Sequence, residues 1–195
     1  DIMFLYVART TGNFHFVSAV YTSFLASMRT ITMQEKWDAR YQHSSSPGDP
    51  CWLLKNYSHL LPTSGRSLDI ACGLGANALF LAEQNLQSHG WDNSIVALEK
   101  LALFAKNRRL CVTTQQRNIE KNPPEKDSFD IIVVSQFLFR PLMPALIDAL
   151  RPGGLLFYQT FNEHKQSAKG PSNPNFLLAS NELLALLSPL ELVFY

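Results

Sequence analysis

From residue 66 onward, short apolar runs alternate with segments of helical period. Ser67 to Ala71 is a short apolar strand closed by a tight turn at Gly73-Leu-Gly75, and Ala76 to Gln84 follows as a helix with little polar content. Gln87 to Trp91 reads as a weaker second strand. Asp92-Asn-Ser94 offers turn and N-cap chemistry for the next helix, where Val96, Leu98, Leu101, Phe104 and Ala105 recur with mostly helical spacing. Cys111 to Gln116 is a third strand. Phe129 to Ser135 is the strongest, apolar nearly throughout, as in a central parallel strand covered on both faces. Leu142 to Leu150 predicts a helix with Pro141 near its first turn, Arg151-Pro-Gly-Gly154 a turn, and Leu155 to Thr160 a fifth strand. After a polar loop over Asn162 to Asn175, Ser180 or Asn181 caps a last helix, and a further strand begins near Leu190. Upstream, Met33 to Tyr41 and Trp52 to Leu61 suit helices separated by the turn-rich Gln42 to Pro50. This alternation predicts an α/β domain with a doubly wound, mostly parallel sheet and helices on both faces.

The two ends read differently from the middle. Thr10 to Met28 holds no Lys, Arg, Asp or Glu, yet Thr, Ser, Asn and His interrupt it too often for a membrane span or signal segment. Residues 1–32 are therefore expected to be an extension outside the domain, which begins at Met33 and runs to 195. Leu190-Glu-Leu-Val-Phe-Tyr195 reads as a strand cut off in mid-sheet, so the domain is expected to be truncated, with the last strand missing.

Composition narrows the class. A chain of 195 residues, 46% hydrophobic and 17% charged, suits one folded domain. The net charge of +1 and the lack of a basic stripe interleaved with aromatics give no indication of nucleic acid. Three scattered cysteines form no C-x-x-C pair and no complete disulfide framework, which points to a reducing, cytoplasmic compartment. No histidines stand beside them at ligand spacing, so no metal is expected. Oligomeric state is left open.

The chemistry centres on Gly73-Leu-Gly-Ala-Asn-Ala78, a G-x-G-x-x-A turn between a strand and a helix. Such a turn approaches a nucleotide-bearing cofactor closely, serves dinucleotides equally well, and also occurs for strand–helix packing alone. Asp69, four residues before Gly73, bears on the choice. A carboxylate about 4 Å from one pyrophosphate charge would cost roughly 4 kcal/mol at an effective dielectric near 20. Beside a sulfonium or an ammonium it is favourable, so the acid argues against NAD. Asp92 follows the second strand where an acid meets ribose hydroxyls, or alternatively caps the next helix, a role that Asn93 or Ser94 can also fill. Asn118 and Ile119 follow the third strand, where an adenine edge is read and a ring covered, although Asn is also a common turn residue.

Leu68-Asp-Ile-Ala-Cys-Gly-Leu-Gly-Ala-Asn-Ala78 resembles motif I of the class I S-adenosylmethionine-dependent methyltransferases. Phe129-Asp-Ile-Ile-Val-Val-Ser-Gln136 and Leu150-Arg-Pro-Gly-Gly-Leu-Leu-Phe157 resemble that family's fourth strand and the turn into its fifth. Lys36-Trp-Asp-Ala-Arg-Tyr41, Gln159-Thr-Phe161 and Gly170-Pro-Ser-Asn-Pro174 are similar to small bacterial members grouped with the tellurite-resistance enzymes. The resemblance spans about Met33 to Tyr195. It implies a Rossmann-like sheet and S-adenosylmethionine as cofactor. The implied contacts are Asp69, Ala71, Cys72, Gly73, Gly75, Asn77, Asp92, Asn93, Asn118 and Ile119, with Ser135, Gln136 and Phe137 beside the methionine part. Trp37, Arg40 and Tyr41 would form a lid, Arg40 toward the cofactor's carboxylate. Two departures stand out: Ala71 where many members have glycine, and Asn118 where aspartate is usual. The family's sheet has seven strands ending in an antiparallel hairpin, and this chain stops within the sixth.

The implied activity is in-line methyl transfer to a small-molecule acceptor, in which holding nucleophile and methyl in line supplies roughly 7–11 kcal/mol. No general base is required unless the acceptor arrives protonated. Arg140 and His164 are candidates to meet an anionic or protic substrate, and each is equally an ordinary loop or helix-start residue. Cys72 reads as a small buried hydrophobe rather than a nucleophile. A non-catalytic methyltransferase-like module that binds cofactor or a partner is the alternative, with an NAD-dependent oxidoreductase third.

Overall fold

The computed structural model describes residues 3–10, 32–164 and 170–195. Its strands are β1 (Met3–Thr10), β2 (Arg66–Ile70), β3 (Gln87–Asp92), β4 (Val112–Gln116), β5 (Phe129–Ser135), β6 (Leu150–Phe161) and β7 (Leu190–Phe194). The helices are α1 (Met33–Gln42), α2 (Trp52–Asn56), α3 (Ala76–Glu83), α4 (Ile95–Arg108), α5 (Met143–Ala149) and α6 (Glu182–Leu186). The helix expected over Trp52 to Leu61 divides into α2 and a 3-10 turn at Ser58–Leu60.

The strands form one seven-stranded sheet in the order β4-β3-β2-β5-β6-β1-β7. The five strands from β4 to β6 run parallel. The chain winds outward through β2, β3 and β4, then returns to the other side of β2 as β5. The carboxyl ends of β2 and β5 therefore flank the point where winding reverses, the usual place for a ligand crevice in an open α/β sheet.

Period-two alternation explains why β5 is apolar on both faces. Ile131 and Val133 pack with Leu155, Phe157, Leu53, Leu54 and Leu81 on one side. Ile132 and Val134 pack with Leu68, Ile70, Leu156, Tyr158 and the buried residues of α5 on the other. α4 buries Leu98, Leu101 and Ala105 against Ala78 and Leu79 of α3, and leaves Lys106 and Arg108 in its last turn, where cations suit the dipole.

Two expectations are corrected at the far edge. Met3–Thr10 does not stand outside the domain. As β1 it lies between β6 and β7, antiparallel to both, from Met3 opposite Phe161 to Arg9 opposite Leu155. The strand expected to be missing is thus supplied from upstream, because ladder hydrogen bonds depend on register in space and not on order along the chain. The uncharged remainder of the upstream segment, residues 11–31, lies outside the described residues. Arg151-Pro-Gly-Gly154 is also not a free turn. Phe129 pairs with Leu150 and Ile131 with Leu155, so these four residues form a bulge within β6.

Candidate cofactor site

β2 delivers the chain to the glycine turn through a run of unusual backbone angles. Ala71 has φ 51°, Gly73 φ 52° and Gly75 φ 77°. The turn closes by Gly75 N donating to the Cys72 carbonyl at 2.8 Å, and Cys72 N donates to the Trp91 carbonyl at 3.0 Å. The glycines have separate reasons. A Cβ on Gly75 would stand 2.2 Å from Leu101, so this residue lets α3 and α4 pack. A Cβ on Gly73 would stand 2.6 Å from the Tyr41 hydroxyl, so this one lets the Tyr41 ring of α1 close onto the turn. Ala71 sits in the left-handed region that costs an ordinary residue roughly 1–2 kcal/mol, partly offset by the extra unfolded-state freedom of glycine. Ala71→Gly is therefore expected to raise the unfolding free energy by about 0.5–1 kcal/mol, read as a higher urea midpoint at unchanged slope.

Asp92 ends β3 and is 7% exposed. Its Oδ2 accepts from Gly73 N at 2.7 Å and its Oδ1 from Ser94 N at 2.8 Å. Burial raises its pKa, and the backbone donors at Ser94, Gly73 and Asn93 pull it back. The helix cap is Ser94, whose Oγ accepts from Ala97 N at 3.2 Å. Asp92 is thereby left to brace the turn, and each oxygen keeps a lone pair for a further donor.

Asp69 plays a different part from the one its spacing suggests. It is 1% exposed, with Oδ1 accepting from Asn77 Nδ2 at 3.2 Å and Oδ2 from Ala78 N at 3.1 Å. Asn77 in turn accepts from Cys51 N at 2.8 Å. Asp69 thus satisfies the first turn of α3 and orients the amide that holds the start of α2. Burial pushes its pKa up to about 7, with Asn77 and Ala78 pulling it down and the charge of Asp92 adding to the rise. A half-protonated Asp69 repels a pyrophosphate less than a full charge would, so Asp92 shares that exclusion.

The remaining expected residues gather at the same carboxyl edge of the sheet. Asn93 follows β3. Asn118 Oδ1 accepts from Glu120 N at 3.1 Å, making a local turn, and Ile119 is buried at 7% exposure beside it. Ser135 ends β5 against the Cys51 thiol, whose pKa burial pushes up to about 12. Gln136 adopts φ 55° while its N donates to the Gln159 carbonyl at 2.8 Å, and the Phe137 carbonyl accepts from the Tyr158 hydroxyl at 2.9 Å. A left-handed non-glycine residue straight after a central strand stores strain where ligands are expected. Cys72 is held as a thiol by burial and makes only a long contact to the Gly73 carbonyl. Across the cleft, Trp37 stacks on Tyr41 with ring centres 5.7 Å apart, and the exposed Arg40 guanidinium lies 5.2 Å from the Trp37 ring.

The two candidate catalytic residues stand apart from this cluster. Arg140 binds both oxygens of Glu182 and the carbonyls of Asn175 and Leu177. It pins the loop after β6 to the segment after β5, and its donors are committed to that clamp. Arg140→Ala is expected to lower stability by about 1–2 kcal/mol, discounted for partial exposure, while sparing cofactor affinity. Parallel urea melts and titrations of the variant check both. His164 is exposed, with Nε2 3.0 Å from Ser180 Oγ and 3.4 Å from Glu163.

Four contributors have roles that the linear reading did not assign. Gln159 is buried and accepts from Leu53 N at 2.9 Å, and Ser94, Asp38 and Lys100 join α1 to α4. Asp38, Ser94 and Gln159 lie in segments already singled out, whereas Lys100 lies in none. A separate surface depression lined by Gln87, His89 and Cys111 opens at the amino ends of β3 and β4, on the opposite edge of the sheet. Among the described residues, no group of His, Cys, Asp and Glu is placed to hold a metal, and no helix is long and apolar enough to cross a membrane.

The residues fit an adenosyl sulfonium. Two buried acids underlie the turn, Gly73 admits the Tyr41 hydroxyl close to its backbone, and an apolar residue is buried at Ile119. Residues 68–154 match the model of a methyltransferase domain. A ubiquinone biosynthesis O-methyltransferase from Histophilus somni is 29% identical over 110 residues, 51% of this chain and 46% of that protein. The chain thus spans about half the length of the curated relative it matches. TehB from Haemophilus influenzae shares the fold at TM-score 0.62 and 17% identity, covering 80% of this chain and 54% of that one. A structure from the conversion of a disulfide bond into a thioacetal group during echinomycin biosynthesis does so at TM-score 0.61 and 22% identity, covering 80% and 77%. Such identities carry the fold alone, and TehB is one of several comparable neighbours, not a favoured one. The fold is thus the Rossmann-like methyltransferase fold, and residues 68–154 within it are similar to a methyltransferase domain.

Proposed function

We propose that the chain transfers a methyl group from S-adenosylmethionine to a small-molecule acceptor in the cleft at the carboxyl ends of β2, β3 and β5. The observation that carries this reading is the Asp92 carboxylate, which braces Gly73 N at 2.7 Å and keeps acceptor capacity for a ribose hydroxyl. Asn118 and Ile119 then meet the adenine. The backbone at Cys72 and Gly73, with Ser135, Gln136 and Phe137, flanks the methionine part, and Arg40 faces its carboxylate. Asp69, Asn77, Ala71 and Gly75 shape the turn from beneath, and Asn93 completes the ribose wall. The bound cofactor supplies an electrophilic methyl on a sulfonium, whose departure leaves a neutral thioether.

The protein's own contribution is alignment and exclusion of water. Trp37 and Tyr41 cover the turn, Gln136 is held in its strained conformation by Gln159, and the Arg140 clamp fixes the loop that walls the acceptor side. Alignment of this kind supplies roughly 7–11 kcal/mol without a base. The O-methyl transfer named for the Histophilus relative is one small-molecule instance of the reaction class.

Calorimetric titration with S-adenosylmethionine, S-adenosylhomocysteine and NAD tests the cofactor. The expected result is binding of both adenosyl ligands and none of NAD. Formation of S-adenosylhomocysteine across a panel of phenol, amine and thiol acceptors then separates an enzyme from a non-catalytic module. Binding without turnover on every acceptor would favour the module.

A further inference from the structure

α1 has no fully buried residue and half-buries only a few side chains, Trp37 and Tyr41 among them, so little apolar surface fastens it to the domain. Its attachment is polar and concentrated on α4. Lys100 Nζ donates to the carbonyls of Tyr41 at 2.8 Å, Gln42 at 2.8 Å and Ser44 at 2.7 Å. These three bonds use all the donors of an ammonium, at the helix end where carbonyls lack intrahelical partners and the dipole favours a cation. At a second point, Asp38 Oδ1 accepts from Ser94 Oγ at 2.5 Å and from Val96 N at 3.4 Å.

The second point is continuous with the cofactor acid. Gly73 N donates to Asp92, Ser94 N donates to Asp92, and Ser94 Oγ donates to Asp38. The Lys100 bonds fix the other end of the same helix, directly behind Tyr41, whose hydroxyl rests on Gly73. Burial, and then the charge of Asp92, raise the Tyr41 phenol pKa, so the ring presents a neutral hydroxyl to the turn.

We propose that Lys100 and Asp38 are positioning residues that latch α1 shut over the bound cofactor, so that cofactor release requires both contacts to open. The proposal rests on the cofactor reading above. The side chains of Lys100 and Asp38 are engaged with α1 carbonyls and with the start of α4, and each acts by holding Tyr41 and Trp37 in place. A latch acts on the exit step, so its loss shows in dissociation more than in association.

The test uses the full chain as wild type, Lys100→Met, Asp38→Ala and Asp38→Asn. Stopped-flow displacement of S-adenosylhomocysteine gives its dissociation rate, and hydrogen exchange of the α1 amides reports the latch without ligand. Lys100→Met and Asp38→Ala are expected to speed dissociation about tenfold, as for loss of a charged hydrogen bond, with association changed less than threefold. Their α1 amides should exchange faster while those of α3 do not. Asp38→Asn keeps an acceptor for Ser94 and should stay within threefold of wild type. Unchanged dissociation in both disruptive variants overturns the latch, as does faster α1 exchange with no change in release. Failure of the wild-type protein to bind the ligand overturns the cofactor reading first, and the latch with it.

Discussion

Asp92→Ala is expected to weaken S-adenosylhomocysteine binding by about one to two orders of magnitude, on top of a loss of stability. The carboxylate serves three donors in the proposed complex: Gly73 N, Ser94 N and a ribose hydroxyl. Truncation strands the buried Gly73 amide, and an orphaned buried donor costs about 1–3 kcal/mol. That part of the loss falls on the free protein as well, so it appears as a lower urea midpoint. The ribose contact falls only on the complex, and a hydrogen bond to a charged group contributes about 1.5–3 kcal/mol. Relaxation of the unbraced turn adds to it. Asp92→Asn should be intermediate, because one oxygen remains while the other position becomes a donor facing a donor. Calorimetry with each variant, beside a melt that confirms folding, reads the two effects separately. If a folded Asp92→Ala protein binds within threefold of wild type, the acid is a structural brace and the ribose lies elsewhere.

Much of the nucleotide half of the fold is legible in the sequence because its signals are local. Gly73 and Gly75 mark a turn whatever lies around them. The unbroken run at Phe129 to Ser135 demands burial on both faces, and α4 announces its apolar stripe over four turns. What escaped depends on partners far along the chain. Arg140 looks like an anion site until Glu182, 42 residues later, takes both ends of its fork. β1 is separated from β6 by most of the chain, and nothing local in Met3–Thr10 names Phe161 or Leu155 as its neighbours. Lys100 reads as a solvent-facing cation on a helix, and its three carbonyl partners lie 56 to 59 residues upstream.

Asp69 shows the limit within the motif itself. Its spacing from Gly73 was informative, but spacing does not say whether a carboxylate faces the ligand or the helix behind it. Here the preceding strand turns the side chain under the turn, where Ala78 N and Asn77 are its donors. Together with the committed Arg140 and the half-buried, protonated Cys72, this leaves a site organised around placement. That agrees with methyl transfer from a sulfonium, which asks for alignment before it asks for a base.

The burial of Asp69 makes stability itself a readout of the site. An unfolded aspartate releases its proton near pH 4, whereas in the fold Asp69 keeps it to about pH 7. Between those values the folded state binds a proton that the unfolded state has lost, so stability falls as pH rises. The stabilisation is fully present below about pH 4 and lost by about pH 7. At about 1.4 kcal/mol per pH unit it amounts to on the order of 4 kcal/mol, and the curve is flat above that range as far as this group is concerned. Asp92, raised in the same direction, adds to the slope, while the lowered Glu125 and Glu182 act below pH 4.5 with the opposite sign. Asp69→Asn isolates the one contribution. The amide keeps an acceptor for Asn77, loses the bond from Ala78 N, and cannot ionise. The variant should be less stable than wild type near pH 4.5 and should draw level with it, or pass it, near pH 7.5. Urea unfolding at four pH values between 4.5 and 7.5 measures both slopes. Parallel curves would mean that Asp69 is already ionised throughout, its buried charge carried by Asn77 and the α3 amides, and the full electrostatic case against a pyrophosphate at this turn would be restored.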